Sequence, residues 1–298
     1  MNEVIDTRAF SAQDKQRLKS LTVAPPVAWV TVLGTIFLFV AYVGTIGLGS
    51  IGYLPLWIAC IINSVIGFFA FTPVHEGIHR AISKNERLND FICQLGVLIW
   101  SPSSDQRMFR WVHILHHRFG LGPEDPDREL KGAWWTLPFR FMFLDVIYMT
   151  YAVRNPSKVA KPYLDRTIRN TMVLAVVIAG LCVAGYGMEV LMLWFIPTRI
   201  TFLLVSFAFL WLPHVPHNVS QEENYTRATT MRFGWEPLMG FLLQGHHYHL
   251  MHHLYPRAPF YNTEKIWKLI EPEVRKNHDM TIQHKMEVSP RIQVAGSS

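Results

Sequence analysis

The sequence predicts an all-α integral membrane protein: four transmembrane helices in two hairpins, carrying a histidine-rich cytoplasmic cap flanked by interfacial helices. Three observations carry that prediction. Half of the 298 residues are hydrophobic and 17% are charged, the balance of a chain that meets lipid over much of its surface. Four runs are long, apolar and nearly free of charge. None of the 28 basic residues falls in the two short links that join those runs in pairs.

Residues 1–26 are polar, end in Pro25-Pro26 and lack an early apolar segment. They read as a cytoplasmic lead with little structure of its own and no cleavable signal peptide. The runs at 27–47 and 51–71 each supply the ~20 residues needed to cross a ~30 Å hydrocarbon core. The segment 47–52 is a tight link between them. A second pair, 168–188 and 191–212, turns at Gly185-Tyr186-Gly187.

Basic residues gather before the first run, between the pairs and after the fourth run. The positive-inside rule therefore places both termini and the central loop in the cytoplasm. The net charge of +6 is then a topology signal, with anionic lipid as a secondary partner; it is not a nucleic-acid-binding face. In the central loop, 91–100 is too short to span and reads as a re-entrant or interfacial helix. The aromatic-rich stretch 134–151, broken by Pro138, Arg140 and Asp145, reads as an amphipathic segment at headgroup level. Inside the fourth run, Arg199 follows Pro197 by two residues. Intramembrane charge is costly and functional by default. Arg199 is thus a candidate to line a cavity for a polar substrate end; the alternative is pairing with a backbone carbonyl freed by the proline. The membrane domain is taken as 27–260. Residues 261–298 form a polar cytoplasmic tail whose last dozen residues are expected to be mobile.

The three cysteines, Cys60, Cys93 and Cys182, sit in apolar runs and form no CxxC. That argues against a disulfide framework, a rubredoxin-like site and iron–sulfur chemistry. The histidines carry the chemistry instead. Of 14, two lie isolated in the tail (His278, His284) and the other twelve fall on one side of the membrane. His75 and His79 form HExxH directly after the second run. His113, His116 and His117 form HxxHH in the loop. His214 and His217 follow the fourth run as LPHVPH. His246 and His247 precede a second HxxHH, His249, His252 and His253. On a helix, positions i, i+3 and i+4 are neighbours, and neutral imidazole suits Fe, Zn, Cu and Ni. HExxH alone suggests a zinc protease with Glu76 as general base. Two further HxxHH clusters are more ligands than one tetrahedral zinc takes, and they suit two five- or six-coordinate metals better. In that reading Glu76 orients a ligand histidine through its other ring nitrogen. A metal transporter is disfavoured, because its ligands would lie within the spans near the midplane.

HEGIH, HILHH and HLMHH, in that order among these hairpins, resemble the three histidine boxes of the membrane fatty acid desaturase and hydroxylase superfamily. HHRFGLGPEDPD, the LPH after the fourth run and YHLMHHLYP look most like its carotenoid hydroxylase and ketolase branch. The resemblance implies a di-iron cap: two non-haem irons that activate O2 to oxidise an unactivated C–H bond of a lipidic substrate. Hydroxylation of a carotenoid-like or other long hydrophobic chain comes first, fatty-acyl desaturation second. The ligands it implies are His75, His79, His113, His116, His117, His249, His252 and His253, with a further one from His214 or His217. Relatives often have Asn where this chain has His247, which could add or replace a ligand. Asp125 and Asp127 match a family feature and are expected to support ligands or fix the loop. No haem, flavin or iron–sulfur motif is visible, so electrons come from a separate donor, ferredoxin-like or another reductase, docking on the basic cytoplasmic face. The substrate enters from the bilayer.

Overall fold

The structure is a computed structural model that describes residues 4–285 and 287–297. Four helices are long and apolar enough to cross a membrane: Trp29–Ser50, Leu56–Ile78, Lys161–Val183 and Gly187–His214. In chain order the helices are α1 (Ala12–Thr22), α2 (Trp29–Ser50), α3 (Leu56–Phe69), α4 (Phe71–Ile78), α5 (Glu86–Trp100) and α6 (Gln106–Phe119). Then come α7 (Leu137–Met142), α8 (Leu144–Arg154), α9 (Lys161–Val183), α10 (Gly187–Val190) and α11 (Ile196–Val205). The last are α12 (Glu236–Leu242), α13 (His249–Leu254) and α14 (Thr263–Asn277). Span two is α3 continued by α4. Span four runs α10, a π-helical turn at Leu191–Phe195, α11, a second π-helical stretch at Ser206–Trp211 and a 3-10 turn at Leu212–His214.

The spans match the apolar runs with shifted ends. Span two continues seven residues beyond the expected 71, so His75 stands on the membrane helix itself. Gly67 permits this helix to touch span four, because a Cβ there would strike Thr201. Span two is the hub, with 61% of its most apolar window buried against 6% for span three. Span three therefore stands off from the others and presents most of its surface outward.

α5 is the helix expected at 91–100, begun earlier by Asn85, whose side chain accepts from the Arg87 and Leu88 N–H groups. It packs along α4, and Trp100 donates its Nε1–H to Gly67 O at 2.7 Å. Arg110 on α6 donates to the last carbonyls of span two, Ile78 O and Gly77 O, both at 3.0 Å, and to Asp90 at 2.6 Å. It satisfies orphan acceptors where the helix dipole is negative, and so pins the second histidine box against the first.

Three expectations need correcting. The fold is not all-α: a three-stranded sheet joins β1 (Thr230–Phe233), β2 (Met280–His284) and β3 (Arg291–Gln293), β1–β2 parallel and β2–β3 antiparallel. Strands this short, paired across nearly fifty residues, leave no readable alternation. The N-terminal lead is not without structure, since α1 is capped by Ser11 and buries Leu18. The segment after 260 is not a loose tail. Ile266, Trp267, Ile270 and Val274 of α14 are buried with Met231, Leu250, Met251 and Met280 in a second core. Leu250 and Met251 face that core, leaving the histidines of α13 on its other side. The expected mobile end contains β3.

Candidate metal centre

The structure brings nine histidines together in two groups. His75, His79, His113, His117 and His252 form one; His116, His214, His249 and His253 form the other. Within each, one nitrogen per ring lies within 4.8 Å of all the others. The groups touch where the His117 and His253 rings stack, centroids 4.3 Å apart.

Each HxxHH is divided between the groups. His113 and His117 serve the first, His116 the second; His249 and His253 serve the second, His252 the first. Helix geometry explains this. At 3.6 residues per turn, i and i+4 point about 40° apart, whereas i+3 and i+4 diverge by about 100°. One face of one helix thus feeds two centres, not the single array that the spacing suggested.

The hydrogen bonds fix which nitrogen each ring offers. His116 Nδ1–H donates to Asp125 at 3.1 Å, and His214 Nδ1–H donates to Ala228 O at 2.9 Å. His214 Nε2 then carries a lone pair, and it lies 3.1 Å from His116 Nε2. In the first group, His246 Nδ1–H donates to Gln244 O at 3.3 Å and His246 Nε2 accepts from His75 Nδ1–H at 3.2 Å. The His75 Nε2 lone pair is left buried without a partner among the described residues, as is that of His79. Buried ring nitrogens without partners are costly, and a cation among them removes the cost. The donor set, borderline nitrogen without thiolate, fits non-haem iron.

The second group is backed by carboxylates. Asp125 accepts from the N–H groups of Leu121 at 2.7 Å and Asp127 at 2.9 Å. Asp127 accepts from Tyr148 OH at 2.7 Å, and its other oxygen lies 3.3 Å from His116 Nδ1. Burial disfavours a charged His116, but Asp125 and Asp127 outweigh burial and raise it to about 9. Burial likewise pushes Asp125 up, yet His116 and the backbone donors hold it at about 2. Asp127, buried without a donor on one oxygen, rises to about 6. Among the described residues the first group has no such carboxylate partner. Burial drives His79 down to about 3 and His246 to about 4, so these rings stay neutral.

Glu76 makes no hydrogen bond to a histidine among the described residues. Its carboxylate accepts from Thr31 OH and, at 2.7 Å, from the Phe260 N–H, stapling span one to the segment after the third box. His217 and His247 join neither group; both ring nitrogens of each are buried and unpartnered among the described residues. The π-helical stretch before His214 shifts the phase of span four, and a cis peptide at Val215-Pro216 precedes His217. Arg199 is bonded to α7 and α8, not to a carbonyl freed by Pro197. It pairs bidentately with Asp145 at 2.7 and 2.8 Å, donates to Met142 O at 2.9 Å, and lines a cavity of about 380 Å³. His246, passed over as a ligand, has the supporting role given to Glu76; its adjacency to the third box was the only available signal. His278 and His284 lie outside both groups.

The sequence model of the family described as Fatty acid desaturase matches residues 51–285. The chain is 27% identical over 260 residues to an omega-3 fatty acid desaturase, fat-1, of Caenorhabditis elegans, an alignment covering 75% of this chain. The chain spans 63% of that relative's length. The chain belongs to the fatty acid desaturase family.

Proposed function

We propose, from membership of that family, that the chain is a membrane di-iron enzyme that desaturates a fatty-acyl chain using O2. The observation that carries this reading is the pair of adjoining histidine groups at one end of four apolar helices. The first group would hold one iron through His75, His79, His113, His117 and His252, the second another through His116, His214, His249 and His253. Irons so held would supply O2 activation strong enough to break an unactivated C–H bond. In the overall balance, two hydrogens leave adjacent carbons and a double bond forms. Those two hydrogens, with two electrons from a donor and two protons from solvent, reduce O2 to two waters.

The protein's own part is placement and exclusion. His246 and Asp125 lock the ring orientations of His75 and His116. Phe71, Val74, Trp100, Phe109, Leu144 and Tyr148 wall a small void beside His75 and His113, a dry approach for a chain of methylenes. Sequence resemblance put carotenoid-like hydroxylation first. The matched family and the relative are both named for fatty acid desaturation, so desaturation takes its place. We also infer that the histidine end and both termini face the cytoplasm, from the distribution of basic residues, and that a separate ferredoxin-like or other donor docks there.

Expression in a host lacking desaturases, followed by chromatography of its fatty acyl esters, tests the reading. New double bonds that require His116 and His252 support it. Hydroxylated product without unsaturation overturns it in favour of a hydroxylase.

A further inference from the structure

The turn that carries His214 is poor in bonds of its own. It contains two prolines, Pro213 and Pro216, and neither has an N–H to donate. Its internal backbone bonds are Val215 N–H to Leu212 O, long at 3.4 Å, and His217 N–H to His214 O at 2.7 Å. The last carbonyls of span four are orphan acceptors. A histidine on such a turn has to be held from outside.

β1 and the residues before it supply the hold. Ala228 O accepts from His214 Nδ1–H at 2.9 Å, Thr230 OH donates to Val215 O, and Arg232 Nη2–H donates to Leu212 O at 2.8 Å. Thr230 and Arg232, two apart on a strand, share a face. The backbone of the same strand holds the start of the third box. Arg232 N–H donates to His247 O at 2.9 Å, and Met231 bridges Tyr248, the residue before His249. One short strand thus ties together the segments that carry His214 and His249, both of the second group. Arg232 is a costly residue for that place. It is buried, its Nε has no partner among the described residues, and burial pulls it down to about 10 with no carboxylate to offset the shift. A core that needed only packing would be better filled by an aliphatic side chain. What the guanidinium adds is a cationic donor at the negative end of span four.

We propose that Arg232 and Thr230 are positioning residues for the second metal site: from β1 they fix how span four ends, and so hold His214 towards His116, His249 and His253. β1 is itself paired with β2, Arg232 opposite Gln283, so the C-terminal strand buttresses a ligand distant in sequence. The inference rests on the two-metal reading of the histidine groups.

The test compares the detergent-purified full chain with Arg232→Met, Arg232→Lys and the shape-conserving Thr230→Val. Two quantities are read: iron per chain during graded chelation, and the reaction of each histidine with diethylpyrocarbonate in chelator-treated protein, located by peptide mass spectrometry. In Arg232→Met one iron should leave at about tenfold lower chelator concentration, the lower end of what outer hydrogen-bond partners contribute, while the other leaves as in the wild type. Thr230→Val should show the same one-sided loss, and Arg232→Lys, which keeps a cationic donor, should recover most of it. In Arg232→Met and Thr230→Val, His214 should react several-fold faster and His79 at the wild-type rate. Loss of both irons together, with His79 and His214 uncovered alike, overturns the proposal, because the role is then general stability. Wild-type chelation and wild-type protection of His214 in both Arg232→Met and Thr230→Val overturn it too. A wild type holding fewer than two irons removes the two-metal reading instead; His214 reactivity then still decides whether β1 positions that ring.

Discussion

The two histidine groups differ in what stands behind them. The first holds five imidazoles, and His75 is backed by another neutral ring, His246. The second holds four, and His116 is backed by two carboxylates. Two centres in contact are thus given unequal electronic surroundings by one turn of α6 and one loop. Ligand count alone would rank the first as the stronger site. The outer partners tell against that, since an anionic acceptor on Nδ1–H makes a ring a better donor at Nε2.

The largest effect expected breaks both groups at once. His116→Ala and His252→Ala remove one ligand from different groups, yet each should abolish desaturation, measured as new acyl double bonds in membranes. Activity surviving in either would mean that one group works alone. Next, Asp125→Asn should weaken metal retention in the second group about 10–100-fold, read by metal content after graded chelation. His246→Phe should cost the first group less, because it removes a neutral partner.

Acid and alkali sharpen the contrast in chelator-treated protein. His79 and His246 have folded values depressed to about 3 and about 4. Their contribution is present above the ordinary value of ~6.5 and is lost as pH falls towards the folded values. His116 is raised to about 9, so its contribution is full below ~6.5 and fades as pH rises through about 9. Thermal melting should therefore weaken on both sides of neutrality, and Asp125→Asn should flatten the alkaline limb. The smallest effect is assigned to Glu76→Gln. Loss of its staple costs about 1 kcal/mol of stability and leaves desaturation in place. Abolished activity with folding intact would restore Glu76 to the chemistry.

Much of this was legible in the sequence. The spans follow from length and hydropathy, with ends displaced where helix runs on past the apolar residues, as span two does through His75. Eight of the nine grouped histidines stand in the three boxes, because chelation demands fixed spacing. The ninth, His214, was one of two candidates; the π-helical phase of span four, invisible in residue types, separates it from His217. The division of each box between two centres was implicit in the 100° step but needed the facing helices to be seen. The β1–β2 pairing and the core under α14 arise from contacts distant in sequence.

The central claim is that two adjoining metal sites share these nine histidines, and metal stoichiometry tests it most directly. Iron per chain, measured by elemental analysis on the purified wild type and on His116→Ala, should be two in the former and about one in the latter. A single metal per chain at saturation, unchanged by His116→Ala, would contradict the account.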